Sequence, residues 1–420
     1  MTGERTRDSS AAPKTFRGNF TQQEPIPEEA IARAIEVMRS GRLHRYNVAD
    51  GELSETALLE QAFARYMGVE YCLACASGGY ALQTALKAFG LRHGEPVVTN
   101  AFTLSPVPGA IVGAGGKPVL VETTDNLVID LDDLEAKIRA SGARVLRLSH
   151  MRGHIVNMDA LLEVTNAARV GVIEDCAHTM GAAWRGTKSG LHGIAACYST
   201  QTYKHINSGE GGFLISRDRA LMARAVILSG SYMLYERHLA APGPEAYPDI
   251  RLDTPNCSGR MDNLRAAILH AQLERLDDSV RRWNERYRAI ELTLRNVPGV
   301  KLTRRPDEEF YVGSSFQFML PEFDAVAMEA FLARCKSRGV EVKWFGAPEP
   351  AAYTSRHDSW RYLEPQSLPR SDAVLAMLCD LRLPLTFTVE DCSFIGEIIR
   401  DCVFEMRASI ESGSSQTQSA

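Results

Sequence analysis

The stretch STQTYKHINSGEGGFLIS, residues 199–216, places one lysine between a run of small polar residues and a glycine-rich turn that leads into an apolar strand. A lysine can form a Schiff base with a carbonyl compound, but only its neutral amine is nucleophilic, so burial or neighbouring charges must lower its pKa. Lys204 is followed by the backbone amides of Gly209, Gly211 and Gly212. By itself such a lysine is usually a solvated charge, so its interpretation depends on the rest of the chain.

Outward from this stretch, β-rich runs alternate with helical patterns between about residues 70 and 216. Helical periodicity separates several of these runs, as in YALQTALKAFG and DLDDLEAKIRA. The alternation predicts an α/β fold with a mostly parallel, mixed central sheet flanked by helices. The runs that predict strands are YCLACAS, EPVVTN, KPVLVE, RVLRLSH, VGVIEDC, AACYST and GGFLIS.

The length of 420 residues predicts one large domain and one smaller domain, and the composition of 45% hydrophobic and 24% charged residues is that of a globular protein. We expect residues 21–260 to form the large domain. Residues 261–408 then supply a linking helix and a small C-terminal α/β domain. The polar ends, residues 1–20 and 409–420, are expected to be disordered because their composition cannot offset the entropy of ordering.

The charge pattern argues against nucleic-acid and membrane partners. The net charge is -5, so no whole-protein field attracts nucleic acid or an anionic membrane. No run reaches the roughly 18 apolar residues of a membrane helix, and the start does not read as a secretory signal. Nine scattered cysteines, odd in number and without a pair of CxxC motifs, suit reduced thiols. We therefore expect a cytoplasmic protein that binds no metal.

Polar residues follow several of the predicted strands. Ser77, Asn100, His150 and Asp175 each stand at or just after the end of one strand. In open α/β sheets, ligands bind at the carboxyl ends of the strands. These four positions are therefore predicted to face one shared cleft.

Asp175, in VIEDCAHTMGA, stands at the end of a nearly continuous apolar run. A buried carboxylate there needs a cationic or hydrogen-bonding partner, and a protonated pyridine nitrogen would serve. The alternative is a turn or helix-cap residue. His178, three residues on, would either hydrogen-bond a ligand phenolate or pack in the core.

A phosphate site is predicted at ACASGGYALQTAL, where a strand ends in Ser-Gly-Gly and a helix begins, although such small-residue turns also occur for geometric reasons alone. Phe102, in NAFTLSPV, either presents a flat apolar surface to a ligand or is an ordinary core residue. Together with Lys204 and Asp175, these elements predict a cofactor that has a phosphate, an aromatic ring and a carbonyl. Pyridoxal 5'-phosphate has all three.

With these motifs, the chain resembles the DegT/DnrJ/EryC1/StrS sugar aminotransferases, a family of fold type I pyridoxal-phosphate enzymes. The resemblance extends over roughly residues 25–405. It rests on SGGYAL (77–82), EDCAH (174–178), the S-x4-K-x4-GEGG pattern of residues 199–212, and SGRM (258–261).

The resemblance implies roles for the site residues. Lys204 would bind the cofactor covalently and move the proton, Asp175 would pair with the pyridinium nitrogen, and His178 would approach the ring hydroxyl. Phe102 would stack on the ring. The phosphate would be held by Ser77, Gly78, Gly79 and Ser199. Two positions depart from the family pattern, because Gly79 lacks a hydroxyl and Ser258 stands where the family has asparagine.

The family builds its site between two subunits, so the resemblance also implies a homodimer. Residues near Asn256 and Arg260 would reach the cofactor of the partner. At another strand end, His150 and Arg152 would bind an acceptor hydroxyl or the donor carboxylate, although an ordinary basic loop is the alternative for Arg152. Lys343 would close over the substrate.

The resemblance implies transfer of an amino group from glutamate or glutamine in a biosynthetic pathway. The acceptor would be a nucleotide-linked keto sugar or a cyclitol ketone. Some relatives carry histidine at the lysine position and dehydrate 4-keto sugars instead. Here His205 follows the lysine, and Lys204 keeps the family spacing to Gly209. Two alternatives stay open: dehydration, elimination or carbon–carbon bond chemistry with the same cofactor, and a non-catalytic regulator on the same fold.

Overall fold

The computed structural model describes residues 14–352 and 354–417. Its helices are α1 (Glu28–Ser40), α2 (Glu55–Met67), α3 (Gly78–Phe89), α4 (Pro106–Gly113), α5 (Leu131–Ser141), α6 (Met158–Ala167), α7 (Arg219–Ser229), α8 (Asn263–Glu274), α9 (Leu276–Leu294), α10 (Ala325–Ser337), α11 (Pro369–Met377) and α12 (Val389–Thr417). Its strands are β1 (Tyr71–Cys75), β2 (Pro96–Asn100), β3 (Lys117–Val121), β4 (Val145–Ser149), β5 (Gly171–Asp175), β6 (Ala183–Trp184), β7 (Thr187–Lys188), β8 (Ala195–Ser199), β9 (Gly212–Ser216), β10 (Lys301–Leu302), β11 (Glu309–Phe310), β12 (Ser315–Met319), β13 (Lys343–Trp344) and β14 (Leu378–Arg382). Within the described residues, no helix has both the length and the apolar character needed to cross a bilayer.

The seven strands predicted between residues 70 and 216 are all present, and they form one sheet in the order β1-β9-β8-β5-β4-β2-β3. Strand β9 runs antiparallel to both of its neighbours, β1 and β8. The other pairings in this sheet are parallel. The predicted α/β fold with a mostly parallel, mixed sheet is therefore confirmed.

Helices cover both faces of this sheet, because successive residues of a strand point to opposite sides. Leu73 of β1 lies in a core with α3, α4 and α7, whereas Ala74 lies in a second core with α2, α5 and α6. Val97 and Val98 of β2 are divided between the two cores in the same way. Because helices cover both faces, polar side chains that bind a ligand can gather at the carboxyl ends of the strands.

Helix α3 begins where β1 ends, and its first turn is fixed by a capping hydrogen bond. The Tyr80 backbone N–H donates to Ser77 Oγ at 3.0 Å, as is typical of a serine N-cap. The helix ends at Gly90, whose φ of 86° lies in the left-handed region that glycine adopts most readily. The capping places the free backbone N–H groups of Gly78 and Gly79 at the edge of the sheet.

The C-terminal part of the chain builds a second, antiparallel sheet in the order β10-β12-β14-β13. Helices α9, α10 and α12 pack on it around a separate core that includes Phe316, Phe318 and Phe331. Along the chain, β12, α10, β13 and α12 alternate strand and helix, which agrees with the α/β character expected for this part of the chain. Strand β14, which sequence analysis missed, lies between β12 and β13 and completes the sheet.

The predicted linking helix is two helices in the structure. Helices α8 and α9 are separated at Arg275, whose φ of -98° and ψ of 0° depart from helical values. Helix α8 packs on α1 and α2 in the large domain, whereas α9 packs on α12 in the small domain. The break lets one continuous segment serve both cores.

Part of each end that was predicted to be disordered is ordered in the structure. Phe16 and Phe20 are buried, and both rings make edge-on contacts with Phe387, at centroid distances of 5.0 and 4.9 Å. This aromatic burial orders residues 14–20, which lie within the predicted disordered segment 1–20. At the other end α12 continues to Thr417, beyond the expected boundary at residue 408. Residues 1–13 and 418–420 lie outside the described residues.

A buried ion pair ties the chain before α2 to the large domain. Both Arg45 terminal nitrogens donate to the Glu60 carboxylate at 2.8 Å, and the Ala74 N–H donates to the same carboxylate at 2.8 Å. His238 Nδ1 lies 3.2 Å from Glu60 Oε2. Burial opposes ionisation of Glu60, but Arg45 and His238 outweigh it and lower its pKa to about 2.

We expect Glu60→Gln to lower the free energy of unfolding by about 3 kcal/mol or more, because it leaves Arg45 buried without its counter-charge. Urea unfolding followed by circular dichroism measures this change. The matched control is Glu29→Gln, which removes an exposed ion pair with Arg275 and should cost about 0.5 kcal/mol or less. Equal losses for the two variants would contradict the assigned role of Glu60.

Candidate active site

A cavity of about 300 Å³ opens at the carboxyl ends of β4, β5 and β8. The β1–α3 turn and the loop after β8 form two of its walls, and Arg382 of β14 brings the small domain to a third. Ser77 and Asp175 line it, as predicted, whereas Asn100 does not. The Asn100 side chain is buried and accepts the Ser149 backbone N–H at 2.9 Å, so it positions a residue that does line the cavity.

Lys204 lies on a loop that is closed by its own backbone hydrogen bonds. The Thr200 N–H donates to Gly211 O at 2.9 Å, and the Lys204 N–H donates to Gln201 O at 2.8 Å. Gly211 is required at its position: its φ is 151°, and a Cβ atom there would lie 2.3 Å from Thr200 Oγ1. The glycine-rich turn after the lysine therefore holds the loop that brings Lys204 into the cavity.

The Lys204 amine lies 3.1 Å from His178 Nε2. Burial lowers the pKa of Lys204 to about 7; Asp175 acts in the opposite direction, and Arg152 and Arg382 add to the lowering. Burial, followed by the charge of Lys204, also lowers the pKa of His178 well below its ordinary value. The pair consists of a neutral imidazole and an amine that is part neutral near pH 7, which is the condition for a nucleophilic lysine.

Asp175 ends β5 and is 6% exposed. Its Oδ2 accepts the Ser149 hydroxyl at 3.2 Å, and its Oδ1 accepts the Ala177 N–H at 3.1 Å. Among the described residues, no cationic nitrogen lies within 4.0 Å of this carboxylate. Asp175 is thus an oriented, buried carboxylate that still lacks a cationic partner, and it fits a protonated ring nitrogen.

The β1–α3 turn and the end of β8 form a narrow cup. A Cβ atom at Gly78 would lie 2.8 Å from Ser199 Cβ, and one at Gly212 would lie 2.6 Å from the Gly78 nitrogen. Gly79 and Ser77 line the same cup, although the Ser77 hydroxyl is engaged as the helix cap. Free amides at a helix N-terminus, in a cup too tight for a side chain at Gly78, fit a phosphate group.

The structure places Phe102 elsewhere than predicted. Phe102 is 1% exposed, and its ring packs edge-on against Phe345, at a centroid distance of 5.0 Å, in an apolar cluster with Met151. Thr103 and Leu104 line the cavity instead. Burial against the small domain turns Phe102 away, so Leu104 supplies the apolar surface at this wall.

His150 and Lys343 also lie outside the cavity lining. His150 is buried, with Nε2 3.0 Å from Glu174 Oε2. Glu174 and Asp175 point to opposite faces of the sheet because they are adjacent in β5, so a contact with Glu174 takes His150 away from the cavity. Lys343, on β13, is paired in register with Asp380.

Asn256 and Arg260 do not line the cavity of their own chain. Arg260 Nη1 donates to Gly230 O at 2.6 Å, and Asn256 Oδ1 accepts the Ser258 N–H at 2.9 Å. Both residues lie in the segment after α7. Their role toward the cofactor of a partner stays a prediction.

Arg382 is the main cavity residue that sequence analysis missed. It ends β14, and its guanidinium carbon lies 3.6 Å from the centroid of the Tyr203 ring, which lines the same cavity. The sequence signal was the alternation in LCDLR (378–382), a five-residue strand pattern that puts Asp380 and Arg382 on one face. Arg152, which was predicted, does line the cavity.

The chain is similar to several known proteins. The chain is 36% identical over 220 residues to GDP-perosamine synthase of Caulobacter vibrioides, covering 52% of this chain and 56% of that protein. It is 32% identical over 270 residues to a putative L-glutamine:3-amino-2,3-dideoxy-scyllo-inosose aminotransferase of Streptoalloteichus tenebrarius, covering 63% and 62%. The chain thus spans about three fifths of the length of these relatives.

Among solved structures, AtS13 from Actinomadura melliaura superposes with a TM-score of 0.77 at 25% identity, covering 93% of this chain and all of that one. The model of the DegT/DnrJ/EryC1/StrS aminotransferase family matches residues 25–400. With this match across nearly the whole folded chain, the protein belongs to the DegT/DnrJ/EryC1/StrS aminotransferase family.

Proposed function

We propose that the protein is a pyridoxal-phosphate aminotransferase that takes an amino group from L-glutamate or L-glutamine. The acceptor is a nucleotide-linked keto sugar or a cyclitol ketone. The observation that carries the proposal is the position of the Lys204 amine. It lies 3.1 Å from His178, has a pKa of about 7, and shares one cavity with Asp175. This arrangement suits a lysine that bonds to a carbonyl and then moves a proton.

The residues present fit pyridoxal phosphate. The Asp175 carboxylate would accept a hydrogen bond from the protonated ring nitrogen. The backbone amides of Gly78 and Gly79, together with Ser199, would hold the phosphate. Leu104 would lie against the ring. When bound, this cofactor withdraws electrons from the substrate carbon, which makes removal of a proton from that carbon feasible.

Proton transfer falls to Lys204 itself. An acid–base group works best when its pKa is near the operating pH, and a pKa of about 7 meets that condition. His178, neutral at this pH, holds the amine at 3.1 Å. Ser149 keeps the Asp175 carboxylate oriented through its hydroxyl.

The choice of substrates rests on the relatives. Their names specify synthesis of a GDP-linked amino sugar and transfer from L-glutamine to an amino-inosose. Because the chain spans only part of their length, both donor and acceptor are proposals for this protein. Other reactions of the same cofactor, and a regulator without catalysis, remain the competing functions for the test below.

We expect L-glutamate or L-glutamine to convert the bound cofactor to its amine form, and a keto sugar or cyclitol ketone to restore the aldehyde form. Absorbance spectra follow both steps. Lys204→Ala should slow transfer by about 10³-fold or more, since it removes the proton-transfer group. Lys336→Ala, at an exposed position on α10, is the matched control. Failure of every donor to produce the amine form would contradict transamination.

The rate at which the apoenzyme captures pyridoxal phosphate should rise with pH about a midpoint near 7, because only the neutral amine attacks the aldehyde. Stopped-flow absorbance measures this rate. Asp175 raises the pKa of Lys204, so Asp175→Asn should move the midpoint to lower pH, whereas Arg382→Met should move it to higher pH. A midpoint near 10.5, the ordinary lysine value, would show that the cavity does not perturb the amine.

We also propose that two copies of the chain form a cytoplasmic homodimer through the segment after α7. Tyr232 is 64% exposed and Leu252 is 79% exposed in this segment, and Asn256 Nδ2 is buried without a hydrogen-bond partner. Exposed apolar side chains and an unpaired donor in one segment favour a surface that a second copy covers. Nine free thiols suit a reducing compartment.

Leu252→Glu should therefore raise the dimer dissociation constant about tenfold or more, because it places a charge in an apolar interface. Sedimentation equilibrium measures the constant. Leu292→Glu, at a position 68% exposed on α9, should leave it unchanged. A wild-type protein that sediments as a monomer would overturn the dimer.

A further inference from the structure

We infer that the Ser314 hydroxyl donates a hydrogen bond to a neutral oxygen of the ketone substrate, and that His205 is the positioning residue that orients it. The inference rests on the proposed function, because it assigns a substrate contact within the same cavity. Ser314 directly precedes β12 of the small-domain sheet and lines the cavity. His205, the residue after Lys204, contacts Ser314 from outside the cavity lining.

The His205 ring is held in a buried position, 7% exposed, by contacts on more than one side. Its Nε2 lies 3.1 Å from Ser314 Oγ, and its ring packs edge-on against Trp283 at a centroid distance of 5.3 Å. The chain that follows the ring is also fixed, because the Asn207 N–H donates to Gln272 Oε1 at 2.9 Å. A ring held in this way can set the direction of the hydroxyl that it contacts.

His205 is a neutral imidazole whose proton lies on Nε2. Burial, followed by the charge of Lys204, lowers the pKa of His205 to about 3. The other ring nitrogen, Nδ1, is buried and has no hydrogen-bond partner among the described residues. A buried N–H without an acceptor is less favourable than an unused lone pair, so the proton belongs on Nε2. The Nε2–H group therefore donates to Ser314 Oγ.

This donation leaves the proton of the Ser314 hydroxyl for a ligand. Within the part of the chain that the structure describes, His205 is the only hydrogen-bond partner of Ser314 Oγ. A hydroxyl oxygen that accepts one hydrogen bond can still donate its own proton to another group. Ser314 is half-buried at the cavity wall, so a bound substrate can meet this donor.

The backbone that carries Ser314 is held from two sides. Ser314 O accepts the Leu383 N–H at 3.0 Å. Just before it, Asn284 Oδ1 of α9 accepts the Gly313 N–H at 2.8 Å. Gly313 packs so closely on α9 that a Cβ atom there would lie 2.5 Å from Tyr287 Cβ. The hydroxyl is thus preorganised, which is what a selective contact with a substrate requires.

The chemistry of this pair favours a neutral oxygen of the ketone substrate. Both side chains are uncharged, whereas anionic groups are bound most strongly by charged donors. The phosphate cup is built by the large domain, and Ser314 comes from the small-domain sheet, so the hydroxyl lies outside that cup. A keto sugar or a cyclitol carries neutral hydroxyl oxygens on most of its ring carbons. The amino acceptor is therefore the substrate that this donor fits.

The direct test compares the two half-reactions of the holoenzyme by stopped-flow absorbance. The acceptors are scyllo-inosose and UDP-4-keto-6-deoxyglucose. For whichever of them wild type aminates, we expect Ser314→Ala to lower the second-order rate constant about 5- to 100-fold, the range for a lost hydrogen bond that leaves a polar partner unpaired. The rate constant with L-glutamate or L-glutamine should stay within about twofold of wild type.

Ser337→Ala, at an exposed position on α10, is the matched control and should react as wild type does. A loss in Ser314→Ala that is confined to the amino donor, or no loss in either half-reaction, would overturn the inference. So would weaker binding of pyridoxal phosphate by Ser314→Ala, because it would assign the hydroxyl to the cofactor.

The positioning role of His205 has separate readouts. His205→Leu should reduce the acceptor rate as Ser314→Ala does, and the double variant should show no further loss, because both residues act through one hydrogen bond. His205→Gln keeps an N–H donor on a side chain of similar reach and should recover part of the rate. Additive losses without recovery in His205→Gln would show that His205 serves only in packing.

Isotope-edited NMR of the histidine rings in the holoenzyme tests the hydrogen bond without turnover. We expect a neutral His205 ring protonated at Nε2, with a resonance that shifts in Ser314→Ala. A ring protonated at Nδ1 would overturn the inference. Failure of the proposed function is distinguishable, because wild type would then transfer no amino group from any donor. Should His205→Leu fail to fold, His205→Gln and the NMR measurement decide the role of His205.

Discussion

The chemistry of this protein depends on the burial of one amine among fixed charges. In water, the ammonium form of a lysine is favoured by hydration, and the lysine is a poor nucleophile at neutral pH. In the cavity, burial and two guanidinium groups oppose that form, while the Asp175 carboxylate supports it. The balance leaves the Lys204 amine with a pKa of about 7, where it can exist in both forms and exchange a proton.

The fold maintains this balance through backbone geometry. The loop that carries Lys204 closes on itself through Gly211, and the same glycine-rich turn leads into β9, the antiparallel strand of the main sheet. Strand β5 delivers Asp175 to the same edge, and α3 delivers its free amides. The small domain supplies the remaining wall, so the site needs both cores to be folded.

The parts of the site that lie within short local motifs could be predicted from the sequence. Lys204, Asp175 and the Ser77 turn each follow or precede a strand whose apolar run is readable, and the strand end fixes where the side chain lies. Side-chain direction in irregular segments could not be read in the same way. Phe102 and Leu104 are two residues apart in a turn that has neither helical nor strand periodicity. Packing of Phe102 against Phe345 leaves Leu104 to face the cavity.

Residues brought together from distant parts of the chain were also beyond sequence reasoning. Arg382 lies far from Lys204 along the chain. Its five-residue strand, β14, was not predicted. His150 follows a correctly predicted strand, but its pairing with Glu174 depends on which face of β5 each residue occupies. These assignments require the tertiary fold, because no local pattern encodes them.

The central claim is that the Lys204 amine bonds covalently to the cofactor aldehyde. Borohydride reduction of the protein loaded with pyridoxal phosphate, followed by proteolysis and mass spectrometry, tests it most directly. The account predicts one stable phosphopyridoxyl group on the peptide that contains Lys204 and none on other lysine peptides. An unmodified Lys204 peptide, or a label on a different lysine, would contradict the account.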